Sequence, residues 1–175
     1  MAIRLTLIAV PPTGRAPAFP TRAPFVLRPQ DLPERVATRL TEADRLLCAP
    51  EIRLDGGLAA EAVADLTETD YGCWAGRTLA GIAADPAGLE AWRSDAAAAP
   101  HGGESLADVR RRIEGWLGRS LAASGRAVVL APVTVVRTAV LAVLDAPTGA
   151  LWSLDMTPWA EVALTGDGRR WALRL

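Results

Sequence analysis

Two stretches of the chain carry unbroken apolar runs, and both end at a proline. Residues 127–131 (AVVLA) form a short uncharged run, the pattern of a strand buried on both faces. Pro132 stops it, having no N–H to give a ladder. From Val133 the apolar positions Val136, Ala139, Val140 and Val143 recur three and four apart, which predicts a helix directly after the strand. Residues 4–10 (RLTLIAV) repeat the layout, a buried-type strand broken by Pro11-Pro12-Thr13-Gly14. A buried strand, a tight turn and a helix make the edge of an α/β crevice. Ligands in such folds sit at the carboxyl ends of the strands, here around residues 132–134.

The rest of the pattern is read against those two strands. Residues 11–33 carry seven prolines and no periodicity, which predicts a surface loop wrapping the crevice, anchored by Phe19 and Phe25. Asp31 or Pro33 opens a short helix through Leu40, residues 45–48 read as a strand, and residues 58–64 read as a short helix after Gly56-Gly57. Residues 65–74 (DLTETDYGCW) read as extended and polar. Thr78 caps a helix through Ala84 that Pro86 terminates, and residues 88–94 add a turn or two more. Residues 96–103 read as a loop. Ser105 then caps the clearest amphipathic helix, with Asp108 at the capping-box position and Leu106, Val109, Ile113, Trp116 and Leu117 in one stripe. Arg110, Arg111 and Arg112 fall mostly off it and read as a solvated face. Residues 159–164 and 171–175 flank Gly166-Asp167-Gly168 as an antiparallel hairpin at the sheet's edge.

Composition narrows the function classes. At 175 residues and 50% hydrophobic, the chain is long enough for one domain with an ample core. A net charge of −1 argues against a nucleic-acid partner held through phosphates. All 19 basic residues are arginine, which reads as genomic bias rather than a device. Cys48 and Cys73 match no metal or redox spacing and read as buried or half-buried free thiols in a reducing cytosol. No secretory h-region and no run of spanning length is evident, so the expected setting is soluble and cytoplasmic, with no membrane.

Several segments in this order resemble the histidine phosphatase superfamily, the phosphoglycerate mutase-like proteins, and within it the branch that includes α-ribazole phosphatases. They are LTLIAVPPT (5–13), LLCAPEIR (46–53), LTETDYGCWAGRTLAGI (66–82), AWRSD…PHGGESLADVRRRIEGW and VVLAPVTVVRTAVLAVLDAPTGALWSLDMTP. The third and fourth carry the most specific pattern, an acid, then an aromatic-Gly-x-Trp-x-Gly, then a Gly-Glu-Ser helix start. The resemblance implies a three-layer α/β/α sandwich over residues 1–175, with a mostly parallel sheet, an antiparallel edge strand and no cofactor or metal. Enzymes of that family pass a phosphoryl group through a phosphohistidine. Two histidines and two arginines cage the phosphoryl oxygens, and a carboxylic acid protonates the leaving oxygen. The physics requires the cage, because phosphoryl transfer is mostly positioning and charge stabilisation.

By that resemblance the cage is largely replaced here. Ala9 stands at the first arginine position, Val10 at the nucleophile and Pro132 at the second histidine. Arg53 stands at the second arginine and Glu68 at the proton donor. The chain's one histidine, His101, lies in a loop where the family has no catalytic role for it. Three readings follow. In the first, a non-catalytic pseudo-phosphatase binds a small molecule or protein partner through an apolar floor of Ala9, Val10, Pro11, Pro132 and Val133, with Arg53 beside it. In the second, Glu68 drives hydrolysis without a phosphohistidine, helped by Arg53 or His101. In the third, the chain is a structural partner of an active homologue. A homodimer through the later helices or the edge hairpin fits all three. Arg53 and Glu68 read as an ion pair or a remnant anion site, with the ion pair expected. Arg137 reads as solvated or capping, and His101 as exposed.

Overall fold

The N-terminal apolar run pairs with the run that follows residue 125, and the sheet is built outward from that pair. The computed structural model describes residues 2–13 and 18–174, so Gly14 of the expected ligand loop and Leu175 of the expected hairpin lie outside the described residues. In chain order the elements are β1 (Ile3–Val10), β2 (Phe25–Leu27), α1 (Glu34–Thr41), β3 (Arg45–Cys48), β4 (Ile52–Leu54), β5 (Glu61–Ala62) and α2 (Leu79–Ile82). They continue as α3 (Pro86–Ser94), α4 (Leu106–Ser120), β6 (Gly125–Pro132), α5 (Val133–Val143), β7 (Glu161–Gly166) and β8 (Trp171–Arg174). Among the described residues the main sheet has six strands in the order β5-β3-β6-β1-β7-β8. β5, β3, β6 and β1 are parallel, and β7 and β8 add an antiparallel edge. This is the mostly parallel α/β architecture expected from the sequence. β2 and β4 form a small parallel pair apart from it.

β1 and β6 are buried on both faces because helices cover both. Ile3 and Leu5 share a cavity wall with Trp116 of α4, whereas Arg4 and Thr6 share one with Arg39 of α1. Alternate residues of a strand point to opposite faces, so α4 and α1 lie on opposite sides of the sheet. All five residues of the α4 stripe are buried, and the Ser105–Asp108 capping box is formed in both directions. No helix among the described residues is long and apolar enough to cross a membrane.

Several local expectations are corrected. Residues 58–64 form no helix: Gly56 and Gly57 turn at positive φ, and β5 pairs with the end of β3 instead. Pairing with a strand already in place outweighs a helix too short to nucleate. Pro86 does not end a helix but begins α3, where its missing N–H costs nothing. Residues 65–74, expected to be extended and polar, are entered and left through single helical turns at Ala64–Leu66 and Gly72–Trp74. Leu66, Glu68, Thr69, Tyr71 and Trp74 are all buried. Tyr71 and Trp74 join Trp92, Leu106 and Leu151 in a second apolar cluster. β7 begins at Glu161 rather than Trp159, whose positive φ lets its N–H reach the Ala9 carbonyl at 2.8 Å. Cys73 is exposed and only Cys48 is buried.

The arginine run is not a uniformly solvated face. Only Arg111 is well exposed. Arg112 grips Glu104 with two nitrogens, at 2.9 and 3.2 Å, and donates to the Asp65 carbonyl. Arg110 pairs with Glu114 and donates to the Ala146 carbonyl.

Candidate functional site

The carboxyl ends of β1, β6 and β3 converge, as the parallel register requires. Val10 is the register partner of Pro132, and Ala9 of Ala131. Beyond β3, the Ala49 N–H donates to the Leu130 carbonyl at 3.0 Å, which carries the chain alongside β6 until it turns at Glu51. The strand ends thus place Val10, Pro132 and Glu51 around one point. They line a cavity of about 20 Å³, together with Pro11, Phe25 and Glu68. That space is about the size of one enclosed water.

Two buried carboxyl groups meet there. Glu51 accepts the backbone N–H of Glu68 at 2.5 Å and the Thr67 hydroxyl at 3.1 Å. Glu68 accepts the Thr69 N–H at 2.7 Å. Burial pushes the Glu68 carboxyl up to about 7, with the adjacent Glu51 charge adding to the rise while the Thr69 hydrogen bond and Arg112 oppose it. Expelling water from this corner favours the protonated acid, so Glu68 is suited to hold or donate a proton near neutrality.

A larger cavity of about 390 Å³ lies on the other side of Glu68. Phe19, Leu79, Trp92, Leu151 and Trp152 give it an apolar wall. Its charged and hydroxyl-bearing side chains among the described residues are Glu68, Tyr71, Thr134 and Arg137. The Tyr71 and Thr134 hydroxyls stand 3.4 Å apart, and burial pushes the Tyr71 phenol up to about 12, so it remains a neutral donor. Phe19 and Trp92 meet edge to face at 5.6 Å, and Trp92 and Trp152 at 4.8 Å.

A tight backbone crossing holds Tyr71 and Glu68 in place. The Cys73 N–H donates to the His101 carbonyl at 2.9 Å, and the Glu104 N–H to the Asp70 carbonyl at 2.8 Å. A Cβ at Gly72 would overlap the His101 carbonyl, and one at Gly103 the Asp70 carbonyl. That close approach is why both segments carry glycine at the crossing. Glu104 clamps the crossing by accepting from Arg22 at 2.7 Å, from Arg112 and from the Asp70 N–H. His101 is buried rather than exposed. Its Nδ1 accepts the Gly103 N–H at 3.1 Å, and burial pushes its imidazole pKa down. It lines neither cavity and belongs to the crossing.

The structure separates the residues proposed from the sequence. Val10 and Pro132 line the small cavity, Val133 the large one, and Glu68 both. Ala9 is fully buried within the sheet and lines neither. Arg53 is exposed on β4, lines neither cavity, and pairs with no acid among the described residues. The expected Arg53–Glu68 ion pair is therefore not formed; β4 pairs with β2 and turns the guanidinium outward. Glu51 stands beside Glu68 instead. Sequence reasoning also missed Arg137 and Tyr71 as crevice residues. Arg137 was legible, because it lies four residues after Val133 and hence on the same helical face.

The family model described as histidine phosphatase superfamily (branch 1) matches residues 48–175. A bifunctional protein of Mycobacterium tuberculosis is 38% identical over 95 residues, covering 53% of this chain and 26% of that protein. The glucosyl-3-phosphoglycerate phosphatase of the same organism is 51% identical over 57 residues, covering 32% and 26%. The chain thus spans about a quarter of the length of the curated relatives it matches. The solved mycobacterial glucosyl-3-phosphoglycerate phosphatase superposes with a TM-score of 0.75 at 24% identity, over 99% of this chain and 97% of that one. The α-ribazole phosphatase of Shigella flexneri gives 0.73 at 18% identity, over 98% and 95%. At these identities the two structures speak for the fold.

Proposed function

The chain belongs to the histidine phosphatase superfamily, and from that premise we propose that it is a non-catalytic member that binds a small molecule in the altered crevice. The observation that carries the reading is the small cavity at the strand ends. Where the family resemblance expects two histidines around a phosphoryl group, Val10 faces Pro132 across the sheet register, with the Glu51 carboxyl beside them. A phosphoryl group there meets one water's worth of space, no cation among the described lining residues, and a buried acid. Loss of one stabilising donor typically costs ~10²–10³ in rate, and loss of the nucleophile removes the phosphohistidine route altogether. The larger neighbouring cavity is open, apolar and of ligand-binding size. The same reading sets the protein in the cytoplasm, where Cys48 and Cys73 stay free thiols.

One observation favours a second reading. A buried carboxyl pushed up to about 7 is competent as a general acid, and Glu68 lines both cavities. In that reading Glu68 serves a hydrolysis that runs without a phosphohistidine. The two separate in one assay, p-nitrophenyl phosphate hydrolysis by the purified chain and by Glu68→Gln. Absence of turnover in both supports the non-catalytic reading. Wild-type turnover overturns it, and its loss in Glu68→Gln assigns the activity to Glu68.

A further inference from the structure

Among the described residues the larger cavity is lined by one cation, and one of its nitrogens is left without a partner. Arg137 lines it, and the Arg137 Nε is enclosed without a hydrogen-bond partner among the described residues. Its nearest acid is Asp155, at 4.0 Å and fully exposed, a distance and a setting worth little. An enclosed, unpaired guanidinium nitrogen is costly to leave unmet. Three further features face the same corner. Thr134 and Tyr71 present hydroxyls 3.4 Å apart on the cavity wall. Thr134 belongs to the first turn of α5, an 11-residue helix whose N-cap, Pro132, supplies no side-chain acceptor, and Tyr71 packs against that turn. The first N–H groups of the helix and its dipole favour an anion at that end.

Resting on the non-catalytic reading, we propose that this cavity binds an aromatic carboxylic acid, its carboxylate received by Arg137, Thr134 and Tyr71. The ring lies against Phe19, Trp92 and Trp152. The charge count selects a carboxylate over a phosphate. Among the described residues Arg137 is the one cation lining the cavity, which matches one full negative charge better than two. Arg22, which donates to the Glu68 carbonyl at 2.7 Å, and Arg112 are both already held by Glu104. Volume sets the size: at about 390 Å³ the cavity falls in the range of small-molecule sites and admits one ring with a short acidic arm. Phe19, Trp92 and Trp152 line the apolar wall in a chain of edge-to-face contacts, and an aromatic guest against them adds a further contact of the same kind beyond plain burial.

The test is isothermal titration of the whole chain with cinnamate, with cinnamamide and with inorganic phosphate. Cinnamate is expected to bind about tenfold or more tightly than its amide, which keeps the shape and loses the charge. Phosphate is expected to give no saturable heat. Arg137→Gln is expected to bind acid and amide alike, with a melting temperature close to that of the wild type. Equal affinity for acid and amide in the wild type, or no binding of either, overturns the proposal whether or not the variant folds. Hydrolysis of p-nitrophenyl phosphate beside a clear acid preference would sink the non-catalytic reading alone and leave the ligand class standing.

Discussion

Val10 and Pro132 are direct partners across the β1–β6 register, at the carboxyl ends of the two central strands. Both positions correspond, through the family resemblance, to histidines, so replacing both residues by histidine is the obvious attempt at revival. Their surroundings oppose it. The Glu51 carboxyl and about 20 Å³ of space remain, and Arg53 stays outside on β4. A Val10→His, Pro132→His variant is expected to release no phosphate from p-nitrophenyl phosphate above the wild-type background. Trapping of a phosphorylated protein from it would contradict this account, since it would mean the acid beside the site does not repel the group.

The backbone crossing under the site makes a sharper stability prediction. Gly72 sits at a φ of 45° with the His101 carbonyl where a Cβ would go. Gly72→Ala is expected to cost about 2–4 kcal/mol, combining strain with a displaced hydrogen bond between residues 73 and 101. Gly149→Ala is the control, because nothing lies within 4 Å of its added Cβ and its φ is ordinary. Urea melts of the two variants should differ by most of that amount; equal midpoints would remove the crossing from the account.

Ser105 offers a local test of what starts α4. Its hydroxyl accepts the Asp108 N–H at 3.1 Å, and Asp108 accepts the Ser105 N–H at 3.1 Å. Ser105→Ala is expected to cost about 1 kcal/mol, which for a chain of this length lowers the melting temperature by roughly 2–4 °C. Because α4 also supplies Arg112 to the Glu104 clamp, the loss should be read by amide exchange at residues 70–74 as well as in the helix.

Much of the fold was legible because its strongest signals were long and periodic. The α4 stripe, the strand at Arg45–Cys48 and the two proline-ended strands needed no tertiary information. The errors cluster where tertiary contact overrides local pattern. β5 exists because β3 offers it an edge, and residues 65–74 look polar in sequence yet are buried by the crossing with residues 101–104. The site was half legible for the same reason. Val10, Pro132 and Val133 follow from strand ends. Arg53 did not stay in the crevice because β2, a strand unreadable in a proline-rich loop, pairs with β4 and draws it outward.

Glu68 yields the last prediction, and its sign is fixed by the direction of its shift. Burial pushes its carboxyl up to about 7, above the 4.5 of an unhindered side chain, so the folded state holds a proton that the unfolded state releases. Stability from this group is fully present below about 4.5 and is lost as pH rises through about 7. At ~1.36 kcal/mol per unit, the loss across that window is about 3 kcal/mol, an upper figure because relaxation and water entry soften burial. His101 works the other way. Burial pushes its imidazole down from the ordinary histidine value of 6.5, so its contribution is present above about 6.5 and lost as pH falls. A raw stability–pH curve therefore mixes two opposed slopes. Subtracting Glu68→Gln from the wild type at each pH cancels His101 and leaves Glu68 together with its coupling to Glu51. The variant's advantage in urea unfolding should grow from pH 4.5 to 7 and then level off; parallel curves over that range would show that Glu68 is solvated and charged in the fold.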